Sequence, residues 1–383
     1  MQKRFTGTLI LLYTLPWGLQ CIVNTFMSVY VSSLPFSTEQ TVGNVMAFAS
    51  AVTMLSQLVW SRLADGSRNK FRILTLSLLL IVVFSVPFLT LTMRPVLLYV
   101  CVFLFYFCFM VHQPLLDTIT TENAGKLTLS FGAVRSFSTF GFALAGLVCG
   151  IIGFTSSADI FTYIAIIAAI SAVISMTAPK ENTQAPAKKE RFDLAGLFNR
   201  RFVCFLVFTF LLYMTSAINV TFFPVYYTDV LQGEVKLLGI MSSAEAFLEW
   251  GVMIIFGAKI AKIPPRKLFL FIALAAAFRC FAVWFTVNPY LILLTYLGSV
   301  IWFGLQWTSV APYICRSVPA DCNMTAQSLW TLASSGLGAT AGSFFGGIAA
   351  RTLSIRTLFL LGTVLMLVLA ALSPALFPRE KAE

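Results

Sequence analysis

The chain has 383 residues, of which 58% are hydrophobic and 11% charged, with 37 Phe and a single His. Soluble domains are roughly half apolar and a quarter charged, so this composition excludes a water-soluble globule, a disordered chain and a charged-heptad coiled coil. The formal net charge of +11 comes from 26 Lys and Arg against 15 Asp and Glu, and its meaning depends on where the cations sit.

A helix that crosses a bilayer uses about 20 apolar residues. Read in chain order, apolar runs bounded by charges and turn residues predict twelve helices, at 8–33, 41–61, 72–92, 96–121, 129–154, 159–178, 202–228, 237–258, 267–287, 290–315, 324–350 and 355–377. Runs this long without two-residue alternation are helices and not barrel strands. The first run passes through Pro16, Trp17 and Asn24 without a short apolar core and cleavage site, so it reads as a span and not a leader. The eight cysteines form no CxxC pair and the His stands alone, so neither a metal nor a cofactor is expected.

With the N-terminus placed in the cytoplasm, twenty of the 26 basic residues fall on cytoplasmic connections. Arg94, Lys236, Arg351 and Arg356 fall on the opposite side, while Arg135 and Arg279 lie inside spans. This bias predicts both termini inside, an even number of spans and a multi-pass protein of the cytoplasmic (inner) membrane. The net charge is then a topology signal, and no nucleic-acid partner is needed to explain it. The polar stretch 179–200 predicts a cytoplasmic linker between six-helix bundles at 1–178 and 201–383. Internal repetition supports the division. The 61–72 and 259–267 connections are both short and basic, and Ala145-Gly146 with Gly150 matches Ala341-Gly342 with Gly346 at an offset of 196. The expected architecture is all-α: twelve transmembrane helices in two six-helix pseudo-repeats, an arrangement that puts a solute site midway between them.

Five ionisable residues lie well inside predicted spans: Asp117, Arg135, Glu245, Glu249 and Arg279. A charge at the bilayer centre costs about 2.5–3.5 kcal/mol on insertion scales, so each needs a partner or a wet cavity. Asp117 and Arg135 each lie nine residues from Lys126, which puts acid and base at one depth on neighbouring helices. Glu249 and Arg279 sit similarly around the 259–267 connection. Glu245 and Glu249 are four apart on one helical face, so repulsion and desolvation favour one bound proton between them and offer a route to proton coupling. The alternative is that Glu245 faces the aqueous mouth and that Glu249 with Arg279 is a purely structural pair. Asn24, Gln113, Asn219 and Gln306, beside Phe142 and Trp330, offer amides and flat rings of the kind that hold hydroxylated solutes; the same groups also serve as interhelical bonds and packing.

These residues resemble the major facilitator superfamily, and within it the lactose-permease-like branch of sugar and nucleoside proton symporters. The 61–72 loop is similar to that superfamily's loop between helices 2 and 3, with Asp65, Arg68 and Arg72 matching and Ser61 in place of the usual Gly. Gln113-Pro-Leu-Leu-Asp117 followed by Phe131-Gly-Ala-Val-Arg135 and Phe142 resembles the acid, arginine and stacking ring of the branch. The resemblance implies solute contacts for Asp117, Arg135 and Phe142, and matches Glu249 and Arg279 to an acid on helix 8 and an arginine on helix 9. At the helix 10 positions where the branch handles protons this chain has Ser299 and Trp302, so that route does not carry over. The implied function is a monomeric transporter that imports a small hydroxylated solute with protons. Drug or metabolite export is the alternative, while no catalytic constellation supports an enzyme and no long tail supports a sensor.

Overall fold

The computed structural model describes residues 2–65, 67, 69–154, 156–178, 198–260, 263–319 and 322–377. Among the described residues there is no strand. The helices are α1 (Gln2–Ser32), α2 (Glu39–Asp65), α3 (Lys70–Thr90), α4 (Pro95–Phe109), α5 (His112–Glu122), α6 (Phe131–Ile152) and α7 (Ile160–Met176). They continue with α8 (Arg200–Val225), α9 (Val235–Ile260), α10 (Pro265–Phe285), α11 (Tyr296–Ser317), α12 (Asn323–Thr331), α13 (Ala339–Thr352) and α14 (Ile355–Leu376). Ten segments of this set are long and apolar enough to cross a membrane, counting α4 with α5 as one. The helix α9, with Glu245 and Glu249 at mid-length, and the Gly- and Ser-rich α12–α13 stretch fall outside those ten. Most of the expected 179–200 linker lies outside the described residues.

Two predicted helices are interrupted. The 96–121 run breaks at Met110 and Val111, because Pro114 has no N–H to give to the carbonyl four residues back. His112 steadies the break, its Nδ1 lying 2.9 Å from the Phe109 carbonyl oxygen. The 324–350 run loosens into a π-helical turn over Leu332–Gly338 between α12 and α13. Another π turn, Tyr226–Val230, follows Pro224 at the end of α8.

The chain forms two compact units. Unit 1 takes Met1–Ser37, Phe48–Lys188 and Val235–Ala246; unit 2 takes Thr38–Ala47, Lys189–Glu234 and Phe247–Glu383. In unit 1, α1 packs on α6 and α7, and α3 on α7 and α4. In unit 2, α8 packs on α13 and α14, and α10 on α14 and α11. The same four pairings therefore recur in the same order. Glycines permit the closest crossings. A Cβ on Gly141 of α6 would stand 1.9 Å from the Thr14 carbonyl oxygen of α1, and one on Gly342 of α13 would stand 2.1 Å from that of Met214 on α8. Backbone contact of this kind is what small residues allow between membrane helices.

The sequence offset of 196 recurs in the packing. A Cβ on Gly146 would stand 3.0 Å from Cys21 Sγ of α1, and one on Gly342 would stand 2.9 Å from Ala217 Cβ of α8, partners that are themselves 196 apart. Gly146 and Gly150 also lie against Gly239, Ile240 and Ser243 of α9. Gly141 against the Thr14 carbonyl corresponds to Gly338 against that of Phe210. Apolar cores fill the rest of each unit. Phe88 and Phe161 stack at 4.1 Å in unit 1, and Phe269 stacks on Phe377 at 4.2 Å in unit 2.

A Gly141→Ala substitution should therefore force α1 and α6 apart and destabilise by about 1–3 kcal/mol or more. Gly132→Ala, where nothing lies within 4 Å of the added carbon, should be neutral or slightly stabilising. Thermal unfolding of the two purified variants in detergent separates the cases: equal melting temperatures contradict the close crossing.

Candidate functional site

In unit 1 the side chains of α1, α5 and α6 converge on one carboxylate. Asp117 Oδ1 accepts the Tyr13 hydroxyl at 2.8 Å and lies 3.2 Å from Arg135 Nε. The Tyr13 hydroxyl also stands 3.2 Å from Thr120 Oγ1, one turn beyond Asp117 on the same face. Arg135 donates through Nη1 to Ser138, and its guanidinium lies over the Trp17 ring at 4.7 Å and the Tyr13 ring at 5.8 Å. Trp17 in turn meets His112 edge to face at 5.0 Å. Tyr13 and Trp17 are four residues apart, so one face of α1 supplies both a hydroxyl and a π surface.

The pair is reachable. Tyr13 is fully buried and Trp17 nearly so, but the Arg135 and Asp117 side chains are 27% and 34% exposed. Charges do not turn such surface to hydrocarbon, so the open side of this pair belongs to water or a polar solute. A carboxylate, a guanidinium and an indole face together provide acceptors, donors and a stacking plane for a hydroxylated ring.

Unit 2 solves its buried cation differently. Arg279 on α10 is 4% exposed and donates from Nε to Asn219 Oδ1 at 3.2 Å. Its guanidinium lies over the rings of Tyr296 at 4.5 Å and Phe223 at 5.4 Å. Asn219 is itself fixed by its Nδ2, which donates to the Thr215 carbonyl and to Cys280 Sγ. Asp117–Arg135 and Lys70–Glu122 are ion pairs of the structure. Glu249 is half-buried and lies within electrostatic range of the Tyr213 phenol, and Glu245 is half-buried within range of Cys21. The two glutamates thus fall in different units, Glu245 in unit 1 and Glu249 in unit 2.

The remaining expected residues scatter in environment. Asn24 is exposed on α1, and Gln113 and Phe142 are half-buried in unit 1. Gln306 is fully buried on α11, and neither its Nε2 nor its Oε1 meets a hydrogen-bond partner among the described residues. The same holds for Trp330 Nε1, whose ring stands nearly perpendicular to Tyr213 and Trp307. An unmet buried polar atom costs roughly 1–3 kcal/mol, so these groups are a reserve of unused donors and acceptors in unit 2. Arg72 is exposed in the first turn of α3, while the Asp65 side chain and Arg68 lie outside the described residues. Among the described residues no group of three His, Cys, Asp or Glu could hold a metal. Sequence reasoning missed Tyr13, Trp17 and the Lys70–Glu122 bridge; the i, i+4 spacing of the two aromatics was the available signal.

Comparison with known proteins places this geometry. The model of the "MFS_1 like family" matches residues 8–361. Maltose permease of Geobacillus stearothermophilus is 26% identical over 360 residues, covering 93% of this chain and 90% of its own. Sucrose permease of Escherichia coli is 27% identical over 212 residues, covering 52% and 50%. The crystal structure of the nucleoside transporter NupG superposes with a TM-score of 0.85 at 17% identity over 98% of this chain and 100% of its own, which is a likeness of fold.

The Asp117 contacts make a stability prediction. Tyr13→Phe deletes a hydroxyl bound to a carboxylate and should destabilise by about 1.5–3 kcal/mol. Arg135→Lys keeps the charge but loses the Nε contact and the flat overlap with Trp17. In the double variant the two losses should sum to less than their separate values, since both act through one carboxylate. Strict additivity in thermal unfolding contradicts a shared site.

Proposed function

Since the chain belongs to the MFS_1 like family, we propose that it imports a small hydroxylated solute, a sugar or oligosaccharide in the first place and a nucleoside in the second, coupled to protons. It is a multi-pass membrane transporter of the major facilitator superfamily and not an enzyme. The observation that carries the solute assignment is the half-exposed Asp117–Arg135 pair beside the Trp17 face. The permease relatives point the same way.

The proposed roles follow from chemistry. Asp117 accepts from two hydroxyls of the solute in place of Tyr13 or beside it, and Arg135 donates to a third. Phe142, Gln113 and Asn24 extend this contact set in unit 1, and Asn219, Gln306 and Trp330 supply a second set in unit 2. Glu249 carries the coupling proton, with Glu245 and Arg279 adjusting its charge balance, and Asp65, Arg68 and Arg72 form the gating loop. We place both α9 and the α12–α13 stretch across the membrane as well, giving twelve crossings, with both termini in the cytoplasm, a linker at 179–200, and one monomer in the inner membrane. Transport is by alternating access, because a carrier that couples two solutes must expose one site to each side in turn. Protonation of Glu249 lowers the charge that must reorient, which ties the proton to the cycle.

Export of drugs or metabolites is the second reading, favoured by the aromatic cluster of Tyr213, Trp302, Trp307 and Trp330. Reconstituted protein distinguishes the two. With an inward proton gradient, maltose or sucrose should accumulate in proteoliposomes and uridine should be tested beside them. Glu249→Gln should retain counterflow at near wild-type rate but lose accumulation at least tenfold. Full accumulation by that variant removes Glu249 from the coupling step, and proton-driven efflux of the solute favours the exporter.

A further inference from the structure

One end of unit 2 carries a small cavity that the transport reading does not use. It is bounded by Arg201 at the start of α8, Pro265 at the start of α10, Tyr313, Arg316 and Ser317 at the end of α11, and Leu376 with Phe377 at the end of α14. Four helix ends thus meet around about 30 Å³ of free space, room for roughly two waters or for the oxygens of one phosphate.

Its chemistry is divided. Arg201 and Arg316 are exposed and come from different helices, while Phe377 is buried and Leu376, Pro265 and Tyr313 are half-buried. The cavity is therefore cationic at its rim and apolar at its floor. Arg200, Arg266 and Lys267 add charge nearby, and the described residues 198–201, 263–267, 313–319 and 374–377 contain no Asp or Glu. Among the described residues of these segments, five cations, two of them lining the recess, have no Asp or Glu beside them in sequence. Two of the helices also begin there, so their N-terminal dipoles add to the positive field. The recess is held open by structure: Asn199 caps α8 through the Phe202 N–H and donates from Nδ2 to the Ser317 carbonyl at 2.6 Å, which fixes α8 against the end of α11.

We propose that this recess binds a phosphate group that carries an apolar tail, which is the chemistry of an anionic phospholipid headgroup. Planar guanidinium forks take phosphate oxygens in pairs, and two of them on separate helices can clasp one phosphate from both sides. The floor of Phe377, Leu376 and Pro265 would receive the glycerol and first methylenes. The location agrees, because helix ends are where a headgroup lies, and this is the end whose cations predict the cytoplasmic face. Basic pockets between helices on that face are a recurrent mode of lipid recognition. Bound there, the lipid would tie together the ends of α8, α10, α11 and α14.

The test uses the full-length protein in detergent, titrated with phosphatidylglycerol, with phosphatidylcholine and separately with inorganic phosphate. The readouts are retained lipid by native mass spectrometry and the thermal unfolding midpoint. Wild-type protein should retain phosphatidylglycerol and melt several degrees higher with it, and phosphatidylcholine should do neither. Arg201→Ala with Arg316→Ala should cut retention at least fivefold. Arg266→Ala with Lys267→Ala removes the same charge outside the cavity and should leave most of it. A charge-preserving pair, Arg201→Lys with Arg316→Lys, covers the case in which the alanine pair does not fold, and should show partial retention. If millimolar inorganic phosphate displaces the lipid or raises the midpoint alone, the ligand is a soluble phosphate; if it does neither, the lipid is the source. Equal loss in the cavity pair and the control pair, or no loss in either, overturns the proposal.

Discussion

A guanidinium inside a bilayer has to be neutralised, shared or wetted, and the two in this chain are handled in contrasting ways. Arg135 is given a carboxylate, a hydroxyl and an indole face, and is left with a quarter of its surface open. Arg279 is given an amide and two aromatic rings and is almost wholly enclosed. The difference in enclosure separates their uses. A charge that is paired and still accessible can trade a protein partner for a solute hydroxyl at small net cost, since one charge-assisted bond replaces another. A charge sealed among rings cannot make that exchange without moving a helix, so Arg279 acts on its neighbourhood as a fixed positive field.

The backbone imposes a second constraint that shapes the same region. Every N–H and C=O in hydrocarbon needs a partner, so helices are interrupted only where something else meets the freed groups. Beside Met110 and Val111, His112 Nδ1 meets the Phe109 carbonyl. The interruption restarts the chain as α5, and this short helix is what carries Asp117 and Thr120 toward α1. The charged pair therefore depends on a proline three residues before Asp117. At α13, by contrast, the π turn over Leu332–Gly338 ends where Gly338 comes within reach of the Phe210 carbonyl and Gly342 meets that of Met214, so the distortion serves a close crossing.

Depth in the membrane was legible in the sequence, and direction around a helix was not. Counting from Lys126 put Asp117 and Arg135 at one level, and they do meet. The same counting put Glu249 level with Arg279, but it gave no hint that Arg279 bonds Asn219 of α8 and lies over the Tyr296 ring. Equal height leaves the angle about the helix axis undetermined, and in a helix hydrophobic on all sides no polar stripe reveals it. The helix α10 is such a case: FLFIALAAAF presents apolar groups in every direction. Tyr13 and Trp17 escaped notice for the same reason, since aromatic residues are so abundant here that two more on α1 do not stand out. The glycines carry more: the AG…G spacing recurs at an offset of 196, and so do the partners, Cys21 beside Gly146 and Ala217 beside Gly342, while the spacing did not say that Gly146 and Gly150 also touch α9.

The pairing of Glu245 with Glu249 on one face of α9 bears on what kind of coupling the chain can support. Two carboxylates on one face, four residues apart, repel through whatever medium lies between them, and a shared proton relieves that repulsion. Here the two side chains have different company: Glu245 stands near the Cys21 thiol and Glu249 near the Tyr213 phenol. Two carboxylates in unlike surroundings share a proton unequally, so a change in either neighbourhood shifts where that proton rests, and this sensitivity is what a coupling site requires.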